Sequence, residues 1–109
     1  MAAPCRDESL EKDKGNPIYL GIAETKLCLC CEDSGGQPIL KLQERDIMEL
    51  YRNEKAEKPF VFYQRVDVHI SNFQSAAYPG WFISSSMETG RPITMTNNVG
   101  RDNIAFYFH

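Results

Sequence analysis

The sequence lacks several features that mark common classes of protein. Its longest apolar runs, such as residues 60–63, are far shorter than the roughly 20 residues that a membrane-spanning helix needs. Its first residues contain no apolar segment of the kind found in a signal peptide, and none of its asparagines lies in an N-glycosylation sequon. With 12 basic against 15 acidic side chains, the net charge of −3 leaves no basic stripe for a phosphate backbone. These absences argue against membrane insertion and against nucleic acid as a partner.

Motifs for catalysis are equally scarce. The sequence contains no G-x-S-x-G, no H-E-x-x-H and no glycine-rich phosphate-binding loop. Its two histidines are isolated from each other, so no cluster of metal ligands is visible. We therefore expect a protein without enzymatic activity, without a cofactor and without a bound metal.

The four cysteines are Cys5, Cys28, Cys30 and Cys31. Cys28 and Cys31 have the C-x-x-C spacing that zinc sites and thioredoxin-like proteins share. A zinc site would need a second pair of ligands, and the redox motif would need a helix N-terminus, whereas the flanking residues are apolar and typical of a strand. On a strand, Cys28 and Cys30 share one face and Cys31 takes the other. The pattern favours buried structural thiols, and thiol oxidoreductase chemistry at Cys28 and Cys31 is the alternative.

Short β-type segments recur along the chain, and most of them are separated by turns that contain glycine, proline or asparagine. They predict eight strands, at residues 18–22, 26–31, 39–43, 60–66, 71–75, 81–85, 93–96 and 104–108. Ile47, Leu50 and Tyr51 have helical spacing, which predicts a single helical turn near residues 44–51. Without alternation of strands and long helices, the pattern indicates an all-β domain of the barrel or sandwich class.

The aromatic residues divide between core and surface. We expect the core to contain Phe60, Phe62, Phe73, Trp81 and Phe82. For the tyrosines at positions 51, 63 and 78 the sequence leaves both possibilities open, because tyrosine combines apolar area with a polar group and is common at protein interfaces.

Residues 73–85 read Phe-Gln-Ser-Ala-Ala-Tyr-Pro-Gly-Trp-Phe-Ile-Ser-Ser, and an isoleucine follows at position 93. This stretch closely resembles the signature of the interleukin-1 family. The signature consists of an aromatic residue or cysteine, a serine, a proline, an apolar pair, a small residue, a threonine and an aliphatic residue at fixed spacing. The matching positions that we take to determine the fold are Phe73, Ser75, Pro79, Trp81, Phe82, Ile83 and Ile93. The sequence departs from the signature once, at Ser85, where the family usually has threonine.

Other segments are similar to the interleukin-36 subgroup of that family, and the resemblance runs from about residue 5 to residue 108. These segments are residues 15–22, 27–29, 37–38, 40–42, 46–51 and 58–63. The resemblance implies a β-trefoil of the interleukin-1 type and a pro-inflammatory cytokine. It implies as partners the interleukin-36 receptor and the interleukin-1 receptor accessory protein, with NF-κB/MAPK-type signalling. It also implies synthesis in the cytoplasm followed by secretion without a conventional signal peptide.

The resemblance bears on domain organisation as well. A trefoil has twelve strands, and the eight predicted here align with the later two thirds of the family, so we expect the first repeat to be absent. Residues 1–16 are then a polar N-terminal loop and residues 17–109 a partial trefoil domain. Such a chain should have unpaired strand edges and an exposed side of the core. Residues 48–51 and 75–82 also resemble the receptor antagonist of the subgroup. A receptor antagonist or a non-signalling truncated isoform of the same subgroup is the alternative function.

Candidate receptor contacts are chosen by position and exposure alone. They lie in the predicted loops around the last two strands: Arg91, Asn97, Asn98, Arg101 and Asp102.

Overall fold

The computed structural model describes residues 2–10, 12–67, 70–84, 94–97 and 106–107. Within these residues the strands are β1 (Ala2–Pro4), β2 (Asn16–Leu20), β3 (Leu27–Ser34), β4 (Gln37–Glu44), β5 (Val61–Asp67), β6 (Ile70–Ser75), β7 (Phe82–Ser84), β8 (Thr94–Thr96) and β9 (Phe106–Tyr107). Helix α1 spans Ile47–Arg52, and short 3-10 helices span Lys12–Lys14 and Lys58–Phe60. Each of the eight predicted strands overlaps an observed strand, and the predicted helical turn is confirmed.

Strand β1 was not expected, because its three residues lie inside the segment predicted to be a polar loop. It pairs antiparallel with β2, with Ala2 opposite Leu20 and Pro4 opposite Ile18. So short a segment has no alternation of its own, and the neighbouring strand supplies the hydrogen-bonding partners that make it extended. The expected unpaired edge therefore does not occur at β2, which lies between β1 and β5.

Seven strands form one antiparallel sheet. Six of them follow the order β1-β2-β5-β6-β7-β8, and the seventh, β9, pairs with β6. Strands β3 and β4 form a separate hairpin whose turn is Gly35–Gly36. Both glycines have positive φ, 63° and 87°, as the tight two-residue turn of a twisted hairpin requires.

Two hydrophobic clusters lie on opposite faces of β2, β3 and β5. The outer cluster also includes helix α1 and comprises Leu10, Tyr19, Cys28, Cys30, Ile47, Leu50, Phe60, Val61 and Tyr63. The inner cluster lies among the strands and comprises Ile18, Cys31, Phe62, Phe73, Ile83 and Met95. Because successive residues of a strand point to opposite faces, adjacent pairs such as Ile18 and Tyr19 enter different clusters. These three strands are therefore buried on both sides.

Most of the predicted core is confirmed. Phe60, Phe62 and Phe73 are buried, whereas Trp81 and Phe82 are only half-buried. Of the tyrosines left open, position 63 is buried, and positions 51 and 78 are half-buried.

Two large apolar residues are exposed on the face of the strands that carries the inner cluster. Leu42 is 49% exposed, although it lies opposite Leu29, which packs against the inner cluster. Val66 is 60% exposed and lies four residues beyond Phe62 on the same strand, hence on the same face. Both residues lie towards the end of their strand, and the members of the inner cluster are themselves buried. The expected exposed side of the core therefore stays a prediction.

Helix α1 covers the outer cluster. Its N-cap is Asp46, whose carboxylate accepts a hydrogen bond from the backbone N–H of Met48 at 3.0 Å. Ile47 and Leu50 point into the cluster. A helix of six residues is unstable alone, so the buried face and the cap stabilise it here. No helix in the described part of the chain has the length and apolar character needed to cross a membrane.

Replacing Leu50 tests how far stability depends on the outer cluster. Leu50 is 0% exposed, whereas Met48 on the same helix is 46% exposed. Leu50→Ala should lower the free energy of unfolding by about 2–4 kcal/mol, through lost burial and the cavity left behind. Met48→Ala should change it by about 0.5 kcal/mol or less. Urea denaturation followed by the fluorescence of Trp81 measures both variants, and equal effects would contradict this account of the core.

Candidate functional site

Of the five predicted contact residues, the structure describes Asn97. It is exposed and directly follows β8. Thr96 pairs with Phe82, the first residue of β7. Asn97 therefore lies beside Trp81, which directly precedes β7. The other four positions, Arg91, Asn98, Arg101 and Asp102, lie outside the described residues, so the proposed contact set stays a prediction.

The signature residues next to Asn97 form a tightly hydrogen-bonded turn, residues 75–81, which we call the signature turn. The backbone N–H of Ser75 donates to the carbonyl of Trp81 at 2.8 Å, and the N–H of Trp81 donates to the carbonyl of Tyr78 at 3.1 Å. The hydroxyl oxygen of Ser75 accepts from the N–H of Tyr78 at 3.1 Å, and the side-chain oxygen of Gln74 accepts from the N–H of Gly80 at 2.8 Å. These bonds fix the backbone of the turn.

Burial separates the signature residues into two groups. Phe73, Ser75 and Ile83 are buried, and Phe73 and Ile83 belong to the inner cluster. Pro79 is exposed beside Gly80, whose φ of 87° is readily adopted by glycine alone. The signature thus combines core positions with a fixed turn at the surface; Ser85 and Ile93 lie outside the described residues.

The N-terminal segment, of which the structure describes residues 2–10 and 12–14, is attached to the rest of the molecule by polar contacts. The carboxylate of Asp7 accepts hydrogen bonds from the backbone N–H of Ala56 at 2.9 Å and from both the N–H and the hydroxyl of Ser9, at 2.9 Å and 2.6 Å. These donors, Ala56 first, lower the pKa of Asp7 to about 2. Leu10 follows in the outer cluster, and the Arg6 guanidinium lies 5.7 Å from the centre of the Tyr51 ring.

The lowered pKa of Asp7 predicts a loss of stability in acid. A carboxyl group whose pKa falls from 3.8 to about 2 on folding stabilises the folded state above pH 3.8 and loses that contribution as the pH falls through 2. Thermal denaturation at a series of pH values should therefore show a decline between about pH 4 and pH 2 that is smaller in Asp7→Asn. The control Asp33→Asn removes an exposed carboxylate of the β3–β4 hairpin; an equal reduction there would contradict the assignment.

A second polar contact holds the loop that follows helix α1. Arg45 and Glu57 form a two-pronged ion pair, with Nη1 3.2 Å from Oε1 and Nη2 bonded to Oε2. The Arg45 guanidinium also lies 5.0 Å from the centre of the Phe60 ring, and Glu57 raises the pKa of Arg45. Sequence reasoning missed this pair, since no local pattern joins positions twelve apart.

The C-x-x-C thiols lie on opposite faces of β3, as the strand prediction requires. Cys28 and Cys30 are buried in the outer cluster and Cys31 in the inner cluster. Burial raises the pKa of all three thiols, that of Cys30 to about 11. An oxidoreductase needs a lowered thiol pKa, so the structure favours structural thiols over redox chemistry.

Alkylation distinguishes these two roles directly. Cys5 is only half-buried, so iodoacetamide at neutral pH should modify the folded chain at Cys5 and leave Cys28, Cys30 and Cys31 unmodified. The same treatment in guanidinium chloride should label all four cysteines. Intact mass and peptide mapping provide the readout. Rapid labelling of Cys28 or Cys31 in the folded chain would support the oxidoreductase alternative instead.

Sequence comparison identifies the family. Residues 7–108 match the family model described as Interleukin-1 / 18. The chain belongs to the interleukin-1 family. It is 49% identical to interleukin-36 alpha of Homo sapiens over 100 residues, which are 91% of this chain and 63% of that protein. It is 46% identical to the interleukin-36 receptor antagonist protein of Mus musculus over 81 residues, 74% of this chain and 51% of that protein. The family and the interleukin-36 subgroup predicted from sequence are confirmed.

The fold leads to the same subgroup. An NMR structure of the pro-inflammatory cytokine interleukin-36alpha superimposes with a TM-score of 0.84 and 46% sequence identity, covering 96% of this chain and 68% of that one. The predicted interleukin-1-type β-trefoil architecture is thereby confirmed. The chain spans about half to three fifths of the length of the curated relatives given above.

Proposed function

We propose that this interleukin-1 family member is a pro-inflammatory cytokine that acts through a receptor at the cell surface. The observation that carries the proposal is the superposition on interleukin-36alpha, described as a pro-inflammatory cytokine, at a TM-score of 0.84. The fixed backbone of the signature turn adds support, because a rigid scaffold presents its neighbouring loops to a partner without a large ordering cost.

The proposed partners are the interleukin-36 receptor and the interleukin-1 receptor accessory protein. In this mechanism the chain binds the receptor and catalyses no reaction. The surface formed by the chain and the receptor together then recruits the accessory protein, which starts NF-κB/MAPK-type signalling. An interface of this kind buries roughly 800 Å² on each partner. We also propose that the protein is made in the cytoplasm and secreted without a conventional signal peptide.

A receptor antagonist, or a truncated form that does not signal, is the second candidate. The 46% identity to an interleukin-36 receptor antagonist protein favours it. An antagonist would bind the receptor without recruiting the accessory protein, whereas a cytokine would recruit both.

Binding and recruitment can be measured separately. The purified 109-residue chain is passed over the immobilised extracellular domain of the interleukin-36 receptor, and the accessory protein is then added to the complex. An agonist should bind, recruit the accessory protein and activate an NF-κB reporter in responsive cells. Binding without recruitment, together with competition against interleukin-36 alpha, would favour the antagonist. A folded chain that does not bind would contradict both the agonist and the antagonist and would favour the non-signalling truncated form.

The predicted contact loops can be tested in the same assay. A combined Arg91→Ala, Asn97→Ala and Arg101→Ala variant should bind the receptor about tenfold more weakly or worse, because a few exposed side chains usually supply most of the affinity of an interface. Its thermal midpoint should match that of the parent chain. The control Lys26→Ala changes an exposed side chain on the loop before β3. Unchanged affinity of the combined variant would place the receptor contact elsewhere.

A further inference from the structure

A small cleft of about 190 Å³ opens where three parts of the molecule meet. We call it the Tyr63 cleft. The N-terminal segment contributes Ser9, Leu10 and Lys14. The second 3-10 helix, which runs directly into β5, contributes Lys58, and β5 contributes Tyr63. Ala76 and Pro79 of the signature turn complete the cleft.

The tyrosine is unusual because its ring is buried while its hydroxyl has no hydrogen-bond partner within the described part of the chain. Tyr63 is only 6% exposed and packs in the outer cluster. Among the described residues, no fully buried side-chain nitrogen or oxygen lacks a partner. The Tyr63 oxygen must therefore reach the open space, and the residue lines the cleft. A ring held by the core thus presents a donor to whatever occupies the cleft.

Among the described residues that line the Tyr63 cleft, the charged side chains are basic. Lys14 and Lys58 line it, and none of the described residues that line it carries a carboxylate, although the net charge of the chain is −3. Lys58 is exposed and forms no ion pair with any described residue. The hydroxyl of Ser9 is already bonded to Asp7, so the proposal uses two donors, the Tyr63 phenol and the Lys58 ammonium group.

The size of the cleft limits its occupant. Sites for drug-sized molecules usually measure roughly 300–1,000 Å³, and 190 Å³ is nearer the volume of one side chain. Leu10, Ala76 and Pro79 provide apolar walls beside the donors. This combination suits a short methylene stem that ends in a carboxylate.

We propose that the Tyr63 cleft binds an aspartate or glutamate side chain of a partner protein, with the Tyr63 hydroxyl donating to the carboxylate and Lys58 pairing with its charge. The inference rests on the proposed function, because it assigns the cleft to the surface that meets a protein partner. It also gives the exposed side of the signature turn a role, since Pro79 forms part of the wall.

A peptide titration tests the cleft without any receptor. Acetyl-Gly-Glu-Gly-amide is added to the isotopically labelled chain, and amide shifts are followed by NMR, with the glutamine peptide in parallel. The glutamate peptide should move the amides of Lys58, Tyr63 and Ala76 in a saturable way, and the glutamine peptide should move them much less. No localised shifts, or equal shifts with both peptides, would overturn the proposal.

Matched variants separate the donors from the fold. Tyr63→Phe keeps the buried ring and should weaken peptide binding about tenfold, since a hydrogen bond to a charged group is lost. Lys58→Ala should weaken it about threefold or more, and Lys26→Ala, the same change away from the cleft, should have no effect. Tyr63→Phe that folds normally and binds as well as the parent chain would overturn the proposal.

The receptor assay provides an independent arm. If the parent chain binds the interleukin-36 receptor, Lys58→Ala should weaken that binding more than Lys26→Ala; equal effects would remove the cleft from the interface and overturn the proposal. If the parent chain does not bind the receptor, the proposed function fails, while the peptide titration still decides whether the cleft binds a carboxylate.

Discussion

Burial of β2, β3 and β5 on both faces constrains most of this molecule. In a strand with one face exposed to solvent, alternate residues can be polar. In these strands adjacent residues are both apolar: Val61 enters the outer cluster and Phe62 the inner cluster. This explains why β3 carries Cys30 and Cys31 side by side: cysteine is a small side chain that tolerates full burial without a strong hydrogen-bonding demand. Burial in turn raises the pKa of these thiols. One packing requirement therefore accounts for the cysteine pattern and for the raised pKa values of the thiols.

The layer that covers the outer cluster depends on polar contacts because its secondary structure is too short to be stable alone. Helix α1 has six residues, and the N-terminal segment contributes a three-residue strand and a short 3-10 helix. Asp7 attaches the N-terminal segment to Ala56, and the Arg45–Glu57 ion pair attaches the following loop to the end of β4. The two contacts involve adjacent residues of that loop, at positions 56 and 57. These contacts add to the burial of Leu10, Ile47 and Leu50, and their contribution depends on charges that respond to pH and salt.

The interleukin-1 signature connects this core with the surface. Phe73 and Ile83 are core residues, and Ser75 closes the signature turn from inside. The same turn exposes Pro79 beside the Tyr63 cleft and lies next to Asn97. The buried residues of the signature hold the signature turn in one conformation. The signature therefore determines the fold and also positions the groups that the turn exposes at the surface.

Local sequence patterns determined the strands, the single helical turn, the opposite faces of Cys28 and Cys31, and the family, because alternation, spacing and turn residues act over a few positions. They did not predict β1, since Ala2–Pro4 is extended only because β2 offers it hydrogen-bonding partners. The Arg45–Glu57 pair and the Asp7–Ala56 bond, with partners 12 and 49 positions apart, were equally invisible. Sequence also left Tyr63 undecided between core and surface. Only the tertiary structure placed its ring in the core and its hydroxyl at a cleft built from three separate segments, because such contacts arise when the chain closes on itself.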